Sequence, residues 1–274
     1  MNERIVYFLS DQTGVTAETL GHSLLTQFNN QNFRHVTLPF IDTRDKAKEA
    51  VARINEAGRE AALPPVIFST MVQDDFRAII REANGLHLDI FDVFLEPLAE
   101  ELQETPTYEP GRAHGMSDID AYMKRIEATN FALANDDGGV SRNYDRADVI
   151  LIGVSRSGKT PTCLYLALQY GVYAANYPLT DDEFESGKLP EILVKQKHKL
   201  YGLSIAPERL QQIRKERRPM GRYSSAQQVR FELRETQKLF RRYGVPNVDT
   251  TEFSIEEIAS RILDSTGVER RVRP

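Results

Sequence analysis

The sequence contains very little cysteine and no long apolar segment. Cys163 is the single cysteine among 274 residues, which excludes an internal disulfide and a cysteine-rich zinc site and is typical of a reducing compartment. No run approaches the roughly 20 apolar residues that a membrane helix needs, and Ile5–Leu9 is too short for the apolar core of a signal peptide. We therefore expect a cytoplasmic protein with no membrane partner.

An excess of positive charge is absent too. The chain has 35 lysines and arginines against 40 aspartates and glutamates, a formal net charge of −5. Such a balance gives no general basic field for nucleic acid, so we expect no nucleic-acid partner. Any anion must be bound by a local feature of the sequence.

Strand-like and helix-like segments alternate along the chain, which predicts an α/β protein with parallel sheets. The polar segment 103–118 contains two prolines and two glycines and is the best linker candidate. We predict an N-terminal Rossmann-like parallel-sheet domain at 1–105 and a C-terminal P-loop kinase-like α/β domain at 106–274. Apolar spacing predicts one helix over 88–102 in the first domain. Apolar runs predict three strands in the second, listed here in chain order: 147–154, 172–179 and 200–205.

The segment from Gly153 to Thr160 carries the strongest chemical signal. It reads Gly-Val-Ser-Arg-Ser-Gly-Lys-Thr and matches the phosphate-loop pattern G-x-x-x-x-G-K-[ST] at every specified position. A predicted strand precedes it and a helical run follows, which is the setting in which this pattern binds nucleotides. The alternative is a glycine-containing turn with an exposed lysine. The predicted nucleotide contacts are Gly153, Val154, Ser155, Arg156, Ser157, Gly158, Lys159 and Thr160.

Each residue type in this loop has a chemical reason. The two glycines let backbone N–H groups turn around a phosphate, and the following helix adds partial positive charge. Lys159 supplies a point charge for the terminal phosphates, and the Thr160 hydroxyl is the predicted Mg²⁺ ligand. The acid that ends a second strand in common P-loop ATPases is missing, because 200–205 is followed by alanine and proline. The sequence therefore departs from an ordinary ATPase.

Three further stretches are specific beyond the loop. They read Tyr-Phe-Leu-Ser-Asp-Gln-Thr-Gly-Val-Thr-Ala-Glu at 7–18, Ala-Asn-Tyr-Pro at 175–178 and Pro-Glu-Arg-Leu at 207–210. Together with the loop they make the chain resemble, over essentially its whole length, the bacterial phosphoenolpyruvate synthetase regulatory proteins and their relatives that act on pyruvate, phosphate dikinase.

The resemblance implies a bifunctional regulatory enzyme. Such a serine/threonine-protein kinase uses ADP rather than ATP to phosphorylate a threonine of phosphoenolpyruvate synthetase (pyruvate, water dikinase), which inactivates the target. As a phosphorylase it removes that group with inorganic phosphate and releases pyrophosphate. The resemblance also suggests a homodimer as the assembly, whereas Mg²⁺ as the cation is predicted from the loop motif.

Two candidates for catalysis lie outside the loop. Asp136 and Asp137 sit in a predicted turn before the loop strand, where an acid is a candidate base or Mg²⁺ ligand, and Asp137 is the residue we assign to catalysis. The alternative is a turn and nothing more, since Asn-Asp-Asp-Gly-Gly favours turns by itself. His114, in the linker-like segment, is the second catalytic candidate, as a phosphate-orienting or proton-shuttling residue; most loop histidines do neither.

Other segments allow both a functional and a structural interpretation. A basic stretch is either an anion patch or a solvated helix face; its members are Arg209, Arg214, Lys215, Arg217, Arg218 and Arg222. The loop Ser10–Gly14 follows the first strand and is either an anion site or, as we prefer, a turn with a helix cap. Cys163 is interpreted as a packed core residue.

Three rival functions remain open at this point. The same chemistry aimed at pyruvate, phosphate dikinase differs only in the target. A small-molecule P-loop kinase would use the basic helix as a lid, and the missing strand-end acid counts against it. A nucleotide-sensing module would bind ADP or ATP without transferring a phosphoryl group.

Overall fold

The computed structural model describes residues 3–28, 30–61, 63–108, 119–137 and 143–272. The chain divides into two compact units, Met1–Ser117 and Asp118–Pro274. Each unit contains one four-stranded parallel sheet packed between helices, so the protein is α/β. None of the helices in the described ranges combines the length and the apolarity that a membrane span requires.

The first unit alternates strands and helices. Its sheet has the order β2-β1-β3-β4, and every neighbouring pair is parallel. The elements are β1 (Arg4–Leu9), α1 (Val15–Leu25), β2 (Phe33–Leu38), α2 (Arg44–Glu60), β3 (Val66–Ser69), α3 (Asp74–Ile80), β4 (Leu86–Asp89) and α4 (Ile90–Leu102).

The prediction of a single helix over 88–102 was wrong at its start. The residues Leu86–Asp89 form the edge strand β4, and α4 begins only at Ile90. The Asp89 side chain marks the boundary, because its carboxylate accepts hydrogen bonds from the backbone N–H groups of Phe91 and Asp92. A strand of four residues is too short for its alternation to be separated from a helical pattern.

The second unit repeats the strand order of the first. Its sheet has the order β6-β5-β7-β8, again with parallel pairs throughout. The elements are α5 (Ile119–Ala134), β5 (Val149–Gly153), α6 (Lys159–Tyr170), β6 (Ala174–Pro178), α7 (Asp181–Ser186), α8 (Glu191–Lys195), β7 (Leu200–Ser204), α9 (Pro207–Arg217), α10 (Ala226–Tyr243), β8 (Asn247–Asp249) and α11 (Ile255–Thr266).

Sequence patterns missed the strand β8 and the short helices α7 and α8. β8 has three residues and buries only Val248, so it carries no readable alternation. The longer strand β5 is buried at every position: Ile150 and Ile152 pack into one core cluster, Val149 and Leu151 into another on the opposite face. Burial on both faces explains why β5 is a continuous apolar run.

Candidate phosphate-binding site

The site begins where β5 ends. β5 lies between β6 and β7, the next two strands in the chain. The chain therefore runs from β5 to β6 on one side and then returns to β7 on the other side. In parallel sheets a crevice opens at the carboxyl end of such a strand. Gly153 ends β5, and a Cβ there would lie 2.4 Å from the carbonyl oxygen of Leu203 in β7. Only glycine lets the two backbones come this close.

The loop after β5 holds two residues in the left-handed region. Arg156 has φ 74° and Gly158 has φ 91°. Gly158 is also the N-cap of α6, and no side chain caps that helix end. The first N–H groups of α6 are therefore available to an anion, as expected of a phosphate-binding helix terminus.

Lys159, the first residue of α6, is only 5% exposed. Its Nζ donates a hydrogen bond of 2.8 Å to the carbonyl oxygen of Val154, so the side chain folds back over the loop. Burial lowers the pKa of Lys159 from 10.5 to about 8, although the nearby carboxylate of Asp137 opposes the shift. A bound phosphate would favour the charged form and raise this pKa again.

Asp136 lies in the turn that follows α5, and its carboxylate reaches the phosphate loop. Its Oδ1 accepts a hydrogen bond of 2.8 Å from the Thr160 hydroxyl and another from the side-chain amide of Asn176 in β6. The same amide nitrogen lies 3.2 Å from the Thr160 hydroxyl oxygen. One aspartate, one threonine and one asparagine thus form a connected polar group at the start of α6.

The same asparagine also holds the backbone of Asp137, through its side-chain oxygen. The backbone N–H of Asp137 donates to Oδ1 of Asn176 at 3.1 Å, and the Asp137 backbone is left-handed with φ 47°. No hydrogen bond to the Asp137 carboxylate occurs within the described residues, yet this carboxylate lines the same cleft as Lys159. The two neighbouring aspartates therefore have different surroundings.

The cleft around these groups has a volume of about 470 Å³. Its lining contains three basic and two acidic side chains within one unit of the chain. The lining residues are Asp136, Asp137, Ser155, Arg156, Gly158, Lys159, Thr160, Pro161 and Arg217. Gly153, Val154 and Ser157, the remaining predicted contacts, are buried in the loop.

Arg214 of α9 anchors the loop by a hydrogen bond to its backbone. The guanidinium is fully buried and donates hydrogen bonds of 3.1 Å to the carbonyl oxygens of Ser155 and Tyr223, and its Nη2 pairs with Glu232 of α10 at 2.6 Å. The Tyr223 hydroxyl lies 3.2 Å from the Ser155 hydroxyl. Breaking a buried pair of this kind leaves an uncompensated charge, so the network holds α9 against the loop.

The remaining predicted candidates have mixed outcomes. His114 lies outside the described residues. Cys163 is buried on α6, and burial raises the pKa of its thiol, as expected of a packed core residue. Within the basic stretch, Arg214 is an internal anchor, Arg217 lines the cleft and Arg222 donates to the side chain of Gln228.

Sequence patterns missed one residue of the site and left two others as undistinguished members of the basic stretch. Asn176 was quoted only as part of a resembling motif, whereas its side chain joins Asp136, Asp137 and Thr160 and is 1% exposed. A buried strand interrupted by asparagine was the available signal, since buried amides need partners. Arg214 and Arg217 carried no signal that separated them from their neighbours on the same helix.

The kinase/pyrophosphorylase family model matches residues 6–263. The chain belongs to this family. Its membership supports a phosphotransferase activity in general terms.

Curated relatives match over almost the whole chain. Proteins named "Putative phosphoenolpyruvate synthase regulatory protein" from Pseudomonas putida (strain W619) and Stutzerimonas stutzeri (strain A1501) are each 52% identical over 271 residues, covering 99% of this chain and 100% of the relative. The protein of that name from Pseudomonas aeruginosa (strain LESB58) is 52% identical, covering 99% of both chains.

Proposed function

We propose that this protein is a bifunctional enzyme that regulates phosphoenolpyruvate synthetase in the cytoplasm. In one direction it transfers the β-phosphoryl group of ADP to a threonine of the synthetase, and in the other it removes that group with inorganic phosphate and forms pyrophosphate. The first unit then corresponds to a Rossmann-like domain and the second to a P-loop kinase-like domain. A homodimer is part of the same proposal.

One observation supports this proposal above the others: a phosphate loop and two carboxylates meet in a single cleft. Lys159, Thr160, Asp136 and Asp137 all line it, although 22 residues separate Asp137 from Lys159 in the chain. Phosphoryl transfer depends mainly on positioning and on neutralising charge, and needs one base for the acceptor hydroxyl. The cleft contains groups for each of these tasks.

In the kinase direction, the loop N–H groups and Lys159 bind the phosphates of ADP. The threonine oxygen attacks the β-phosphorus while the bond to the bridging oxygen breaks, so AMP leaves. Asp137 accepts the hydroxyl proton, because its carboxylate has no hydrogen-bond donor among the described residues and faces the cleft. Asp136 is occupied by Thr160 and Asn176 and is unsuited to that task.

In the phosphorylase direction, inorganic phosphate attacks the phosphorus of phosphothreonine. A new P–O–P bond forms and the bond to the threonine oxygen breaks, while the proton that the attacking phosphate gives up passes through Asp137 to the threonine oxygen. The same cradle binds pyrophosphate as binds the diphosphate of ADP. A single loop therefore serves both directions.

The side chains also suit Mg²⁺. Among the described residues, no three histidine, cysteine or acidic side chains group closely enough to hold a metal without help. Mg²⁺ in nucleotide sites needs less, usually one or two carboxylates together with substrate phosphates. The Asp136 carboxylate and the Thr160 hydroxyl, 2.8 Å apart, are hard oxygen ligands of this kind. The ion would supply positive charge for the phosphate oxygens.

The decisive experiment is a radiolabel transfer assay with purified protein, Mg²⁺ and phosphoenolpyruvate synthetase. β-labelled ADP and γ-labelled ATP are tested in parallel, with Lys159→Ala beside the wild type. We expect label on a threonine from ADP only, and a rate reduced about 100-fold or more in the variant. Adding phosphate should then release labelled pyrophosphate.

Other outcomes separate the rivals. Transfer from ATP alone, or to a small molecule alone, would leave an ordinary P-loop kinase. Nucleotide binding without any transfer would leave a sensing module. Transfer to pyruvate, phosphate dikinase in preference to the synthetase would keep the chemistry and change the target.

A further inference from the structure

Two arginines in the cleft are not accounted for by nucleotide binding through the loop backbone and Lys159. Arg156 belongs to the loop itself, and Arg217 belongs to the last turn of α9. Both side chains are exposed, and neither has an ion-pair or hydrogen-bond partner within the described part of the chain. Exposed arginines usually lie on a convex surface, whereas these two line a cavity of about 470 Å³.

The position of Arg217 is fixed by the buried anchor on the same helix. Arg214 precedes Arg217 by three residues, so the two side chains are neighbours on the surface of α9. Because Arg214 donates to the carbonyl oxygen of Ser155, the last turn of α9 is held next to the phosphate loop. The helix therefore presents Arg217 to the cleft from a rigid support.

Charge in the cleft favours a second anion subsite for the proposed reactions. Of the two phosphates bound by the loop N–H groups and Lys159, one stays in place and leaves with AMP or enters as orthophosphate. The phosphoryl group in transit is a second anion beside it, close to the carboxylates of Asp136 and Asp137. Such like charges repel unless further cations stand beside them.

We propose that Arg156 and Arg217 form a separate subsite for the phosphoryl group in transit, which is the phosphate of the phosphothreonine side chain. The guanidinium group suits this task, because its planar fork binds phosphate oxygens in pairs and stays charged at every working pH. This inference rests on the proposed function. It adds that Arg217 stabilises charge on the transferred group, as arginines supplied from outside the loop do in other phosphoryl-transfer enzymes.

The inference is tested by equilibrium binding, without turnover. Protein saturated with AMP is titrated with inorganic phosphate and, separately, with O-phosphothreonine, in the wild type and in Arg217→Gln. We expect the wild type to bind a phosphate group together with AMP. The variant should bind it about tenfold more weakly, the loss of one charged hydrogen-bonding partner, while its affinity for AMP is unchanged.

Arg218→Gln is the matched control, because Arg218 is the next residue, is exposed and is outside the cleft lining. It should bind both probes like the wild type. Arg217→Lys should recover part of the affinity, since it restores charge without the fork. A thermal melt of each variant checks that the fold is intact.

Each outcome decides the inference. A loss for both probes supports a subsite that recognises the phosphate group alone, and a loss for O-phosphothreonine only supports one that also reads the acceptor. Failure of the AMP-saturated wild type to bind either probe, or unchanged affinity in Arg217→Gln, would overturn it. Because no transfer is measured, these results stand even where labelled ADP transfers nothing and the proposed function fails.

Discussion

The two sheets have the same strand order, and the loop after the first strand of each sheet has the same design. In the first unit Ser10–Gly14 joins β1 to α1, and in the second Val154–Gly158 joins β5 to α6. Each loop ends in a left-handed glycine that caps the next helix without a side-chain cap, Gly14 with φ 80° and Gly158 with φ 91°. Topology alone therefore provides two crevices of the same kind.

The side chains make the two loops opposite in charge. The second loop carries Arg156 and is followed at once by Lys159. The first has no basic residue, and its Asp11 is a buried carboxylate that accepts a hydrogen bond of 3.1 Å from the backbone N–H of Val72. Burial raises the pKa of Asp11. A buried acid in this loop would repel a phosphate, and we therefore keep the interpretation of the first loop as a turn with a helix cap.

The comparison separates two contributions: the parallel sheets provide the same kind of crevice twice, and the side chains give the two loops opposite charge. Side chains from neighbouring elements also hold other segments against the second loop. Asn176 brings the acidic turn to it, and Arg214 holds α9 against it. Three predictions test these differences, starting with the largest expected effect.

Replacing Asn176 by alanine should remove the side chain that links the acidic turn to the second loop. The side chain is buried and joins the acidic turn to Thr160, so its loss leaves several polar groups without partners. We expect a destabilisation of about 2 kcal/mol in denaturant unfolding. Displacement of Asp136 and Asp137 should also reduce transfer from labelled ADP about 100-fold.

Asn247→Ala is the control for this prediction, because Asn247 is an exposed asparagine on the edge strand of the same sheet. It should retain activity. Full activity in Asn176→Ala would show that the acidic turn reaches the loop without this asparagine.

The capping glycines allow a paired test of the two loops. Alanine at Gly14 or Gly158 is strained by the left-handed backbone, so each variant should lose about 1–2 kcal/mol of unfolding free energy. The added Cβ would lie 3.1 Å from Thr37 at Gly14 and would meet nothing within 4 Å at Gly158. Only Gly158→Ala should weaken ADP binding in a calorimetric titration. Equal effects of both variants on ADP affinity would contradict the proposal that only the second loop binds ADP.

Asp11→Asn should give the smallest effect, and it depends on pH. The folded-state pKa of Asp11 is raised, so its contribution to stability is present below the unfolded pKa of about 3.9 and is lost as the pH rises through the folded pKa. Asparagine keeps an oxygen for the Val72 N–H and avoids the buried charge. The Tm of the variant should exceed that of the wild type at pH 7, and the difference should shrink toward pH 3. A constant difference across this range would show that Asp11 does not titrate differently on folding.

Much of the fold was readable from local pattern. The strand β5, predicted at 147–154, was found at Val149–Gly153, because a long buried run is a strong signal. The edge strands β4 and β8 were missed, because three or four residues at a sheet edge carry little pattern and owe their conformation to the neighbouring strand.

The sequence by itself predicted the phosphate-binding loop, since the pattern of Gly153, Gly158, Lys159 and Thr160 depends on local backbone geometry and short spacing. It also placed Asp136 and Asp137 in a turn, but left open whether they reach the loop. Only the tertiary structure decided that question, together with the separate positions of Arg214 and Arg217. Contacts between residues far apart in the chain depend on strand order and helix packing, which no local pattern encodes.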